Sequence, residues 1–187
     1  SDGSPLDEMR ACIAAGRHPN LVNVLGRYQS EEKTGLVFSF IPPDYTYLGG
    51  PPSLESCTRV SFDETVSFSV NQVLEIVKGI ASVAAHLHQN GIMHGDLYAH
   101  NILINEAGHS ILGDFGAASF YDVEKNNHQL ERIEVRAFGC LLEDLLTRCV
   151  ETAASLETLR QLQVDCTQPV PENRPLFESI CERILSL

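Results

Sequence analysis

Residues 69–90 constrain the fold most. Ser69 and Gln72 stand three apart, the spacing of a capping box, in which two side chains satisfy backbone N–H groups at a helix start. Val70, Val73, Leu74, Val77, Ile80, Ala81, Ala84 and Leu87 then recur every three or four residues until Asn90-Gly91. This spacing predicts a long helix with an apolar stripe that the rest of the chain must cover.

Candidates for that cover lie on both sides. Met9, Cys12 and Ile13 predict a helix over 4–15, with Ser4 as N-cap and Asp7 and Glu8 near the positive end of its dipole. "LVNVLGRYQ" and "GLVFSF", separated by the turn "SEEKTG", predict an antiparallel strand pair. Residues 42–68 are rich in Pro, Gly, Ser and Thr, and predict a connecting segment with one short irregular element and a lobe boundary. "NILINEAGHSILGDFG" predicts two short strands around Glu106-Ala107-Gly108. After the polar stretch 122–129, Ile133, Ala137, Phe138, Cys140, Leu141, Leu142, Leu145 and Leu146 predict a helix apolar over most of its circumference, hence central and buried. Further helices are expected over 154–162 and 176–185, the second after "PENRP". The order is α+β, without alternating β/α units.

The 187 residues are enough for one substantial core, divided between two unequal lobes. Thirteen Lys plus Arg against 25 Asp plus Glu, a formal charge of −12, argue against a nucleic-acid surface or a polybasic membrane anchor, though not against a local basic site. No apolar run reaches the roughly 18 residues of a membrane span, and no signal peptide opens the chain. The six cysteines form no CxxC pair or zinc spacing and are expected as reduced, mostly buried thiols of a cytoplasmic protein. Nothing in the sequence dictates an oligomeric state.

The chemistry concentrates in "HGDLYAHNILINEAGHSILGDFG", residues 94–116. Asp96 and Asn101 are five apart, and a hairpin folds Asp114 back beside them. An amide oxygen and a carboxylate converging on one point suit Mg²⁺, which takes one or two protein oxygens with phosphate and water. Asp96 is left to orient a hydroxyl and accept its proton.

"HGDLYAHN" followed by "DFG" resembles the catalytic and metal loops of eukaryotic-type protein kinases, H-R-D-L-x-x-x-N and D-F-G. The likeness extends in family order. "EMRACIAAGRHPNLVNVLG" is similar to the kinase αC helix and following strand, "GLVFSFIP" to the fifth strand and hinge, "EVRAFGCLLEDLL" to the αF segment, and "CTQPVPENRPLFESI" to the closing region. The resemblance implies a protein-kinase-like fold, with residues 1–41 a partial N-lobe (αC, two strands, hinge) and 42–187 a mainly helical C-lobe. It implies ATP and Mg²⁺ as cofactors and a protein hydroxyl as acceptor. Asp96 would be the catalytic base, and Asn101 and Asp114 the Mg²⁺ ligands. His94, Phe115, Cys12 and Val24 would form the stacked hydrophobic spine. Phe38 would be the gatekeeper, the Ser39 carbonyl and Ile41 amide would hold adenine above Leu103, and Glu8 would pair with the phosphate-binding lysine.

The likeness has gaps. No Gly-rich loop or phosphate-binding lysine strand precedes Glu8, which is expected of a truncated or incomplete domain, as is Ser1 in place of Met. Gly95 stands in place of the catalytic-loop arginine, so control through a phosphorylated activation loop is not expected. Glu134 replaces the αF aspartate, a longer carboxylate still suited to hold the catalytic-loop backbone. The stretch from Asp114 to Glu134 is short and carries no A-P-E, which puts the usual peptide platform in doubt. Two alternatives stay open here: a pseudokinase or scaffold, and a small-molecule kinase similar to aminoglycoside phosphotransferases, whose pattern is H-G-D-x-x-x-x-N.

Overall fold

A computed structural model describes residues 4–31, 33–54, 59–126 and 128–187, the Asn126 side chain excepted. Cys57, Glu32 of the expected turn, Asn127 of the polar stretch and Ser1–Gly3 lie outside them.

The capping box at Ser69 forms as expected: the Gln72 N–H donates to Ser69 Oγ, and Gln72 Oε1 accepts from the Ser69 N–H. At residue 4 the N-cap works differently, because Ser4 makes no side-chain cap bond and Pro5 occupies the first turn, where its missing N–H is no loss. In chain order the elements are α1 (Pro5–Ala15), β1 (Val24–Gln29), β2 (Thr34–Phe38), β3 (Thr46–Tyr47), α2 (Val70–Gln89), β4 (Ile92–Met93), β5 (Ile102–Ile104), β6 (Ser110–Leu112), β7 (Ser119–Phe120), α3 (Val123–Asn126), α4 (Gln129–Thr147), α5 (Ala154–Cys166) and α6 (Phe177–Leu185). Short 3₁₀ turns cover Ala99–Asn101 and Pro171–Asn173.

Among the described residues the strands form three small antiparallel sheets: β1 with β2, β3-β5-β6, and β4 with β7. β5 and β6 flank the predicted turn with Ile102 opposite Leu112 and Ile104 opposite Ser110. The segment after α1 is stitched to this sheet and to α2. The Val22 N–H donates to the Leu112 carbonyl, Leu112 N–H donates to the Asn20 carbonyl, and His86 Nε2 lies 2.7 Å from the Ala15 carbonyl. Gly79 permits the close approach, since a Cβ there would collide with Ser110 Oγ and the Asn20 side chain.

One apolar cluster runs from Ala11 and Ala15 of α1 through α2 to Phe138, Leu142 and Phe177. Val73, Ile76, Val77, Ile80, Ala84 and Leu87 are fully buried, so α2 is the enclosed axis. The expectation for α4 needs correcting. It buries Phe138, Leu142 and Leu145, but Ile133 is 51% exposed and Cys140 half-buried, so one apolar face reaches solvent. The buried face takes up Glu131, which accepts the Phe177 N–H, and Glu134, which holds the backbone of residues 94 and 95.

Candidate active site

The loop carrying Asp96 is pinned from below by a buried carboxylate. Glu134, 1% exposed, accepts the His94 N–H through Oε2 (3.1 Å) and the Gly95 N–H through Oε1 (2.7 Å). The longer side chain on α4 therefore holds the backbone, as its position suggested. His88 Nε2 lies 2.8 Å from Glu134 Oε2, close enough for an ion pair although the ring N–H is not aimed along that line. On its other side His88 Nδ1 meets the Tyr121 hydroxyl at 2.6 Å, and its ring stacks on Phe177 at 5.4 Å. Burial pushes the Glu134 carboxyl up, but the contact and charge of His88, the charge of His94 and the Gly95 amide together outweigh it, so its pKa is lowered.

Gly95 is required by the same geometry. Its φ is +82°, and a Cβ would run into the Ala117 carbonyl oxygen, just after Asp114-Phe115-Gly116. The His94 ring ties the two loops together: Nε2 reaches the Gly113 carbonyl at 2.8 Å and Nδ1 lies 3.3 Å from the Asp96 N–H. The Gly113 N–H in turn donates to the Asn101 carbonyl. Asp114 then takes a left-handed conformation, φ +55°, which its own side chain supports by accepting the Gly116 N–H. His94 and Phe115 pack edge to face at 5.3 Å; Phe115 and Cys12 are buried, and Val24 packs against the same cluster.

Asn101 is nearly buried, and its Nδ2 donates to both the Asp96 carbonyl (2.9 Å) and Asp96 Oδ2 (2.7 Å). The amide orientation is thereby fixed, and Oδ1 accepts no hydrogen bond among the described residues. His100 Nε2 lies 3.3 Å from Asp96 Oδ2, and the Asp96 side chain stays about one third exposed. Asn101 and Asp114 line one cavity of about 640 Å³, together with Ile41 and Leu103.

The other expected site residues sit elsewhere. Phe38 ends β2 opposite Val24 and is 42% exposed, and the Ser39 N–H is taken by the Asn23 carbonyl. Neither lines the cavity, although Ile41 does, and Phe40 between them is 85% exposed. Glu8 is half-buried on α1, forms no ion pair among the described residues, and is felt at Cys12, whose thiol burial pushes up to about 11. Sequence reasoning missed the cavity wall from the connecting segment, Tyr47, Leu48, Phe62 and Val66. An irregular loop has no periodicity to reveal which side chains turn inward. It also missed His88, although a histidine four residues beyond Ala84 on the buried stripe of α2 was a usable sign.

The loop of residues 94–101 and the Asp114-Phe115-Gly116 turn, closed on each other beside a cleft over a mainly helical part, define the protein kinase class of fold. The chain belongs to that family: the sequence pattern of the Protein kinase domain matches residues 4–138, well over half of it. It is 36% identical over 111 residues to the L-type lectin-domain containing receptor kinase V.7 of Arabidopsis thaliana, covering 57% of this chain and 16% of that protein. To the receptor kinase V.5 of the same plant it is 34% identical over 111 residues, 57% of this chain and 15% of the relative. To the serine/threonine-protein kinase US3 homolog of varicella-zoster virus (strain Dumas) it is 30% identical over 118 residues, 62% and 26%. The chain thus spans about a quarter or less of each relative's length. The family match and these names set aside the likeness to aminoglycoside phosphotransferases. Among the described residues no helix is long and apolar enough to cross a membrane.

Proposed function

We propose that this chain is the catalytic-loop portion of an ATP-dependent protein kinase, which transfers the γ-phosphoryl group to a protein hydroxyl. One observation carries the reading. Asn101 is locked onto Asp96 by its Nδ2, which leaves its Oδ1 as a hard donor in the cavity that Asp114 also lines. The donor set fits Mg²⁺: an amide oxygen and one carboxylate, with no cage of three or more His, Cys, Asp or Glu among the described residues. Mg²⁺ held by Asn101 and Asp114 would neutralise phosphate charge when bound. Asp96 would orient the acceptor hydroxyl and take its proton, while Glu134 and His94 keep the loop in register. Ile41 and Leu103 would offer adenine its apolar walls. The described cysteines are free thiols, Cys12 and Cys166 buried and Cys140, Cys149 and Cys181 half-buried, which is in keeping with a reducing, cytoplasmic setting.

One observation favours the scaffold reading for this chain by itself: no Lys or Arg of the described residues lines the cavity, so phosphate charge there meets no ammonium or guanidinium group. The two readings part on one experiment. In the full-length protein, γ-phosphate transfer to a mixed protein extract should be present in wild type and fall at least a hundredfold in Asp96→Asn. A wild type as inert as the variant establishes the scaffold reading.

A further inference from the structure

One wall of the large cavity comes from a segment that belongs to no helix or strand. Phe62, Asp63 and Val66 line the cavity, and α2 begins only at Val70. Ordering such a segment costs conformational entropy, which its contacts have to offset. On the inner side the contacts are made by backbone. The Gly50 N–H donates to the Ser61 carbonyl and the Ser61 N–H to the Gly50 carbonyl, while the Leu48 and Gly49 N–H groups donate to the carbonyls of Ile102 and Ala99. Val60 seats so closely on Gly49 that a Cβ there would collide with it.

On the outer side the contacts are made by charge, on α4. Arg59 Nη2 donates to Glu143 Oε2 (2.8 Å), to Asp144 Oδ1 (2.9 Å) and to the Cys140 carbonyl (3.1 Å), and Nε donates to Asp144 Oδ2 (3.3 Å). Two nitrogens on the two oxygens of Asp144 make the planar fork that lysine cannot reproduce. Arg148, at the end of the same helix, donates to the Asp144 carbonyl and holds its guanidinium 3.9 Å from the centre of the Phe62 ring. The Arg59 and Glu143 side chains are 37% and 54% exposed, so their ion pair adds little stability. What the fork supplies is position: the helix that holds the catalytic loop through Glu134 also holds the wall of the cavity.

We propose that Arg59 is a positioning residue of the nucleotide site, its fork on Asp144 and Glu143 keeping Phe62 and Val66 in place as the apolar wall against which the nucleoside half of ATP packs. The ligand is taken from the ATP-dependent reading above. Arg59 does not itself line the cavity, so its charge acts through the wall and not on phosphate. Phe62 is the largest wholly apolar side chain of the lining, and with no ammonium or guanidinium group there, apolar contact has to carry much of the grip on a nucleoside.

The test is calorimetric titration of the full-length protein with adenosine, which carries no phosphate, beside steady-state transfer from Mg²⁺–ATP. Phe62→Ala should weaken adenosine binding about tenfold, and Arg59→Glu nearly as much. The double variant should bind no more weakly than Phe62→Ala alone, because Arg59 acts through that ring. Pairing Arg59→Glu with Asp144→Arg, which reverses the ion pair, should recover most of the affinity. In the transfer assay Arg59→Glu should raise the KM for ATP about tenfold and move kcat by less than about twofold. Arg59→Gln is scored in the same way and secures the result if the charge reversal unfolds the protein. Arg160→Glu, which breaks an exposed pair with Glu157 on α5, should change neither measurement. Adenosine affinity unmoved by Arg59→Glu and Arg59→Gln, losses that add in the double variant, a fall in kcat in place of the rise in KM, or no adenosine binding by the wild type at millimolar concentration would each overturn the proposal. Adenosine binding that follows the expected pattern in a protein that transfers no phosphate would sink the phosphotransfer reading and leave the positioning role standing; transfer with a KM indifferent to Arg59 would do the reverse.

Discussion

The catalytic loop and the β1–β2 hairpin are built on opposite terms. Around the loop, buried polar groups are answered, His88 Nε2 and His100 Nδ1 excepted: Glu134 receives two amides, His94 bridges to Gly113, and Asn101 clamps Asp96. In and beside the hairpin, large apolar side chains stand in solvent, with Leu25 60%, Tyr28 56%, Val37 48% and Phe40 85% exposed. An unanswered polar group inside a protein loses its hydration and gains nothing back, whereas an exposed apolar group only forgoes a gain. Rigidity therefore belongs to the loop, and tolerance to the hairpin.

Glu134→Ala tests the first half most severely. It strands the His94 and Gly95 amides and the His88 imidazole, and should destabilise by about 3–5 kcal/mol, read as a lower urea midpoint. The carboxylate also sets a pH dependence. Its pKa is lowered in the folded state, so its contribution is complete above the unfolded value near ~4.3 and is lost as pH falls through the lower folded value. In Glu134→Gln the midpoint should fall less steeply between about pH 4.3 and lower pH than in wild type. A variant of unchanged midpoint and acid limb would show that the loop does not depend on this carboxylate.

Gly95→Ala probes the same region by shape instead of charge. The methyl group meets the Ala117 carbonyl at a positive φ, and the expected loss is about 2 kcal/mol by thermal unfolding. Loss below about 0.5 kcal/mol would mean that the 117 segment yields freely. Such freedom would make the pinning of the loop one-sided.

The same division decides what could be read from the sequence. The capping box of α2 and the β5–β6 turn are local, carried by residues three to ten apart, and they fall where the pattern put them. Asn101 and Asp114 could be brought together on paper because only that hairpin separates them. The role of Glu134 followed from the family pattern, but its contact with His88 joins residues on two helices that no periodicity links. The wall made by Leu48, Phe62 and Val66 was invisible for the same reason. On α4 the apolar pattern was real but only part of it is buried, because composition shows that a face is apolar and only packing shows whether anything covers it. Ile133 is that case, and so, on the hairpin side, are Phe38 and Phe40.

Phe40→Ser gives the smallest expected effect and the sharpest contrast. Phe40 keeps only 15% of its surface from water, so its removal should shift stability by no more than about 0.5 kcal/mol, near the scatter of surface substitutions, with an unchanged melting temperature as the readout. The outcome discriminates because the alternative is equally definite. If some further segment or second molecule covers this face in the protein under study, Phe40 is buried there, and the substitution should cost about 2 kcal/mol or more. Where a second copy is the cover, the wild-type melting temperature would depend on concentration and the substitution would weaken that dependence. A small, concentration-independent change keeps the hairpin as the tolerant region. A large one moves it into the same category as the loop, and would mean that the contrast between the two belongs to the separated chain and not to the assembled protein.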